Sequence, residues 1–173
     1  SKVKVVVRNA LPLTHTKLDQ LILTDFGNLD DLSRQLHADV YFCCIGTTIK
    51  KAGSREAFCK VDLDIPVKIA TIAESLAIPS LVVISSIGAS SASANFYLRT
   101  KGEMENKVQS VYHGNLKFVR PSLITGNRPE FRFAERLAQV MTKITSFLMI
   151  GPLAKYKGIH ARVIATGMIK ATG

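Results

Sequence analysis

Apolar runs and amphipathic stretches divide this chain into short strands separated by helical segments. Lys2 to Arg8, KVKVVVR, is β-branched and predicts a first strand, and Gln20 to Leu23 predicts a second. Asp25 to Leu36 predicts a helix, with Asn28 as a candidate cap and Leu29, Leu32 and Leu36 on one face. Val40 to Ile45 is apolar on both faces, as in a strand buried between helix layers, and closes at Gly46-Thr47-Thr48. Ser54 is placed to cap a helix from about Arg55, and Val67 to Leu76 is amphipathic and ends before Pro79. Leu81 to Ile84 predicts a strand, Phe96 to about Ser110 a helix, and Lys117 to Val119 a strand stopped by Arg120-Pro121. Phe133 to Met149 and Ala161 to Lys170 have helical period.

Strands that alternate with helical segments need crossover connections, which implies an α/β fold with a mainly parallel, doubly wound sheet and helices on both faces. The 173 residues suit one domain, 1–173. Ligands of such sheets collect at the C-terminal strand edge. Arg8, Asp25, Gly46, Ser86 and Pro121 stand at strand ends of that kind and are expected to line one crevice.

Apolar residues make up 47% of the chain, which fits a folded domain and excludes a disordered tail. No apolar stretch reaches the ~18 residues of a membrane span, so no membrane partner is expected. The first eight residues alternate charge with valine and have no signal-peptide pattern. The net charge of +10 invites a nucleic-acid reading. The basic residues are scattered, however, with only an Arg128, Arg132, Arg136 stripe, and an anionic cofactor is the expected source of the bias. Cys43, Cys44 and Cys59 cannot all pair, and two are adjacent in an apolar run. They read as buried thiols of a reducing, cytoplasmic location. The four histidines and three cysteines have no metal-ligand spacing, so no metal is expected.

The chemistry gathers between Leu81 and Glu103, LVVISSIGASSASANFYLRTKGE. A buried strand there delivers Ser85 and Ser86 to its C-terminal end. Tyr97 and Lys101 follow four apart, on one helix face. A phenol ordinarily ionises near pH ~10, too high for efficient proton exchange at neutral pH. An ammonium ~4 Å away, at an effective dielectric of ~20, favours the phenolate by roughly 4 kcal/mol before desolvation. Such a pair trades a proton with a carbonyl or alcohol, and a serine hydroxyl upstream can hydrogen-bond the same oxygen.

Ser86 or Ser85 with Tyr97 and Lys101 resembles the Ser/Tyr/Lys constellation of the short-chain dehydrogenase/reductases. The order DFGNLDDL, DVYFCCIGTT, AGS, Val61-Asp62, VVISSIGAS, NFYLRTKGEMENKV and FVRPSLI is similar to one atypical branch, the Tat-interacting-protein-like oxidoreductases and their bacterial relatives. The resemblance covers roughly residues 1 to 130 and implies a Rossmann-type domain, with residues from about 122 onward on the substrate side. None of the 11 glycines has G-x-G-x-x-G spacing, and none precedes Gly27. A first strand, Gly-rich turn and helix of about 25 to 30 residues is therefore expected to precede Ser1 and to be absent from this chain.

The resemblance implies a role for each matching residue. Arg8 reads the adenosine ribose, where a cation suits a 2′-phosphate, so NADP(H) is favoured over NAD(H). Asp25 and Phe26 lie beside the adenine. Cys44, Gly46 and Thr47 pass under the ribose and pyrophosphate, and Pro121, Ser122, Leu123 and Ile124 contact the nicotinamide. Lys101 also binds the nicotinamide ribose, Tyr97 is the acid/base, and Ser86, with Ser85 as alternative, steadies the substrate oxygen. The implied activity is hydride transfer between nicotinamide and a small carbonyl or alcohol. Helices around 67–76 and 96–110 would form a homodimer. Two other readings stay open: an NADPH-binding regulatory or protein-interaction module without turnover, and a nucleic-acid-binding domain.

Overall fold

The computed structural model describes residues 2–122, 124–125 and 159–172. The predicted helix 133–149 and the arginine stripe 128–136 lie outside them.

Strand β4 (Ser80–Ile84) is the centre of a parallel three-stranded sheet, between β3 (Val40–Cys43) and β5 (Asn115–Val119). Its side chains alternate between two helix layers. Leu81 and Val83 pack with Ala70, Ala73, Met104 and Val108 of α3 (Ile65–Ser75) and α4 (Phe96–Val111). Val82, between them in sequence, packs on the other face with Ile164 and Met168 of α5 (Ala161–Lys170). Each fully buried side chain of this kind contributes roughly 1.5–3 kcal/mol, and their two-sided burial explains why β4 is apolar without alternation.

Strands β1 (Val3–Val7) and β2 (Leu18–Ile22) form a separate parallel pair, with no backbone ladder joining it to the larger sheet among the described residues. It is held through the core instead: Val6 and Leu21 pack against Leu29, Leu36 and Ile72. The crossover 8–17 between β1 and β2 carries no helix, in keeping with its polar, irregular sequence. Gln20 fastens it, accepting from Leu11 N at 2.8 Å and donating to Leu13 O at 2.9 Å. A short parallel pair, β6 (Ile124–Thr125) with β7 (Ile159–His160), was not anticipated.

Three sequence expectations need correction. The segment after β2 is a 3-10 helix, Phe26–Gln35, capped by the Asp25 side chain on Gly27 N, while Asn28 lies inside it with non-helical backbone. An Asx-type turn at Asp25 competes better for the orphan N–H groups than the asparagine three residues on. Strand β3 stops at Cys43, and Phe42 is 44% exposed rather than buried between layers. After the short helix α1 (Ile49–Ala52), helix α2 (Arg55–Cys59), capped by Ser54, is not separate from the one read over Val67 to Leu76; a π-helical turn, Lys60–Asp64, joins it to α3. Pro66 has no N–H to offer the Asp62 carbonyl four residues back, and the turn ahead of it is widened, with Ile65 N donating to Lys60 O.

Candidate active site

Lys101, on the second turn of α4, is buried and its ammonium is held by Asp62: Nζ to Oδ1 is 2.7 Å, with the two side chains 4% and 1% exposed. The other carboxylate oxygen of Asp62 accepts from Thr47 N at 2.7 Å. The widened turn of the α2–α3 junction thus ties the loop after β3 to the lysine of α4. Gly46 leaves room for this arrangement, since a Cβ there would lie 3.3 Å from Asp62 Oδ1. The lysine charge that the sequence offers to Tyr97 alone is therefore shared with a carboxylate. In the sequence Asp62 stands out only as part of the Val61-Asp62 pair, and its burial on a π turn is what simple periodicity misses.

Tyr97 is half-buried, one helical turn before Lys101, with its ring tilted against Phe58 at 5.9 Å between centroids. Phe58 is fully buried and also packs on Phe96. Asn95 starts α4, accepting from Leu98 N at 3.1 Å.

Ser85 and Ser86 follow β4 and are both buried. Ser85 N continues the ladder to Val119 O, and its Oγ is buried with no hydrogen-bond partner among the described residues. Ser86 Oγ donates to Ile87 O at 3.3 Å. The loop leaving Ser86 returns onto α4, where Ser90 N donates to Leu98 O and Arg99 Nη1 donates to Ser93 O. Gly102 makes the close approach possible: a Cβ on it would stand 2.2 Å from Ser90 C and from Ser91 N. Ile87 N donates to Pro121 O at 2.9 Å, so the Arg120-Pro121 turn sits beside the serine turn. Arg120 is braced by Glu105 of α4 through Nε at 2.8 Å and Nη2 at 2.5 Å, and this pairing raises the guanidinium above its ordinary value.

The predicted residues divide into two groups. Gly46, Thr47 and Lys101 are linked through Asp62, while Ser86 and Pro121 meet through Ile87. Cys44 is exposed, its Sγ 3.8 Å from Met168 Sδ of α5. Burial of part of its surface raises the Cys44 thiol above its ordinary value, and full burial pushes Cys43 up to about 12. Arg8 and Asp25 are exposed beyond the smaller sheet, and Phe26 packs into the core with Leu29. Ser122 is half-buried, Ile124 is 46% exposed, and Leu123 lies outside the described residues. Among the described residues no His/Cys/Asp/Glu group can hold a metal, and no helix is long and apolar enough to cross a membrane.

A buried ammonium, a phenol one helical turn away and serine hydroxyls on a loop packed against the same helix fit a site that binds a polyhydroxylated ligand and moves a proton. The unpartnered Ser85 Oγ and the bare backbone at Gly46 suit a cofactor carrying ribose hydroxyls.

No family model matches the chain. Protein HTATIP2 of Rattus norvegicus is 35% identical over 143 residues, 80% of this chain and 58% of that protein. Protein fmp52, mitochondrial, of Aspergillus fumigatus is 34% identical over 164 residues, 88% of this chain and 69% of that protein. The chain thus spans between 39% and 69% of the length of the curated relatives it matches. Among solved structures, dTDP-4-dehydrorhamnose reductase of Bacillus anthracis in complex with NADP has a TM-score of 0.58 at 15% identity, covering 81% of this chain and 61% of that one. That likeness establishes a Rossmann-type fold. The expected cytoplasmic location is corrected by the fungal relatives, which are named as mitochondrial proteins; the expectation of buried thiols holds only for Cys43, since Cys44 is exposed and Cys59 is half-buried.

Proposed function

We propose that this chain, which belongs to the HTATIP2/FMP52 branch of the atypical short-chain dehydrogenase/reductases, is the catalytic part of an oxidoreductase that interconverts a small carbonyl compound and its alcohol. The observation that carries this reading is the buried Lys101, anchored by Asp62 one turn from Tyr97 on the helix against which the serine loop packs. A bound nicotinamide dinucleotide supplies the hydride in reduction and accepts it in oxidation.

Ser86 donates a hydrogen bond to the substrate oxygen and holds it toward Tyr97. As the carbonyl carbon gains hydride, the oxygen takes the Tyr97 proton, and Lys101 stabilises the phenolate that remains. Solvent then returns the proton to Tyr97. Oxidation runs the same exchange backwards, with Tyr97 taking the hydroxyl proton. Gly46, Thr47, Cys44 and Lys101 would hold the ribose and pyrophosphate side, Pro121, Ser122, Leu123 and Ile124 the nicotinamide side, and Asp25 with Phe26 the adenine. Arg8, exposed after β1, would meet a 2′-phosphate, which favours NADP(H) over NAD(H). The mitochondrial designation of the fungal relatives carries over as the proposed location.

The test is NADPH consumption over a panel of aldehydes and ketones. Tyr97→Phe is expected to lower kcat by about 10²–10⁴-fold, the usual share of a positioned acid/base, while NADPH binding measured by calorimetry stays within threefold. Unchanged turnover in the variant would remove Tyr97 from the chemistry. Tight NADPH binding without turnover on any substrate would make the protein a dinucleotide-responsive module instead.

A further inference from the structure

We infer that Asp62 is a positioning residue of the dinucleotide site, which couples the loop after β3 to the lysine of α4; the inference rests on the function proposed above. Its two carboxylate oxygens serve different elements: Oδ1 holds Lys101 Nζ at 2.7 Å, and Oδ2 accepts from Thr47 N at 2.7 Å. Both the lysine and the Gly46-Thr47 segment are residues that a ribose and its phosphates would touch, so one buried carboxylate fixes two contacts of the same ligand. A long lysine side chain has many rotamers to lose. A site that had to order it only on binding would lose affinity to that cost.

The local sequence is arranged for this task. Asp62 lies on the π turn ahead of Pro66, a departure from helical register that turns a side chain to a face it would otherwise leave. Gly46 has no side chain at the place where a Cβ would lie 3.3 Å from Asp62 Oδ1. The bond to Thr47 satisfies the second oxygen of a carboxylate that is 1% exposed, and in doing so fixes the loop to the lysine.

The experiment compares NADPH binding by the full-length protein and its Asp62→Asn and Asp62→Glu variants, using calorimetry and the thermal midpoint without ligand. Asp62→Asn is expected to raise the Kd for NADPH at least tenfold, and Asp62→Glu, which keeps the charge, to recover most of that loss. A folded Asp62→Asn protein with a Kd within twofold of the parent overturns the role. So does a variant that loses only thermal stability. If Asp62→Asn does not fold, the parent protein still decides. The Lys101 ammonium, assigned in nitrogen-15 spectra by its loss in Lys101→Arg, is expected to give a slowly exchanging signal that moves on addition of NADPH. A freely exchanging signal, or one that ignores saturating NADPH, overturns the role. A parent protein that binds neither NADPH nor NADH overturns the dinucleotide reading and this role with it, whereas normal parent binding with indifferent variants overturns the role alone.

Discussion

Lys101 Nζ and Asp62 Oδ1 stand 2.7 Å apart with almost no solvent on either side chain. Removing one member of such a pair strands the other charge, at a cost of about 3–5 kcal/mol, while removing both costs far less. Lys101→Met is therefore expected to lower the unfolding free energy by about that amount, and Lys101→Met combined with Asp62→Asn to recover at least half of it. Urea denaturation of the two single variants and the double variant measures the coupling.

Glu105 and Arg120 form the second brace of α4, but only the carboxylate is buried; the arginine side chain is 53% exposed. Solvent screens the exposed end, so Arg120→Ala is expected to cost about 1–2 kcal/mol, mostly for leaving the Glu105 oxygens without donors. Arg120→Lys should restore only part of it, because the two-pronged contact is lost. The thermal midpoints of the three proteins rank the effect.

Much of this architecture was legible in the chain. Apolar and β-branched runs marked β1, β3 and β4, short strands were legible at β2 and β5, and Ser54 marked a helix start, because burial and capping leave local patterns. The i, i+4 spacing of Tyr97 and Lys101 places them on one face of α4. What did not show was long-range or compensatory. Asp62 looks like any helix aspartate until Thr47 and Lys101 are brought to it. Asp25 outcompetes Asn28 as a cap because its side chain reaches Gly27 N. Phe42 belongs to an apolar run, yet 44% of it stays exposed because a short strand near a sheet edge can leave one face uncovered.

His113 and Glu74 give an acid-sensitive contact at the end of α3. The His113 backbone N–H donates to Glu74 Oε2 and its ring Nδ1 lies 3.0 Å from Oε1, which together hold the carboxyl below its ordinary value. A folded-state value below the unfolded one stabilises the protein above the ordinary carboxylate pH of about 4.3, and the gain disappears as pH falls through the depressed value. Glu74→Gln is expected to flatten the acid side of a plot of thermal midpoint against pH and to leave the slope near neutrality unchanged.

Cys43 is 2% exposed, and its thiol is pushed up to about 12 by burial. At pH 7 it stays a thiol, whereas the thiolate is the reacting species. Alkylation of the native protein at pH 7 is expected to spare Cys43 and to modify it only in denaturant, as peptide mass mapping would record. Modification of Cys43 at the rate of exposed Cys44 would mean that β3 opens readily.

The bare surface of α4 at Gly102 fastens the serine turn to the helix. With the Ser90–Ser91 backbone seated on it, and Ser90 N bonded to Leu98 O, the turn bearing Ser86 and the helix bearing Tyr97 travel as one body. Hydroxyl and phenol are thereby mounted on one packed unit, and a displacement of the helix carries the serine turn with it.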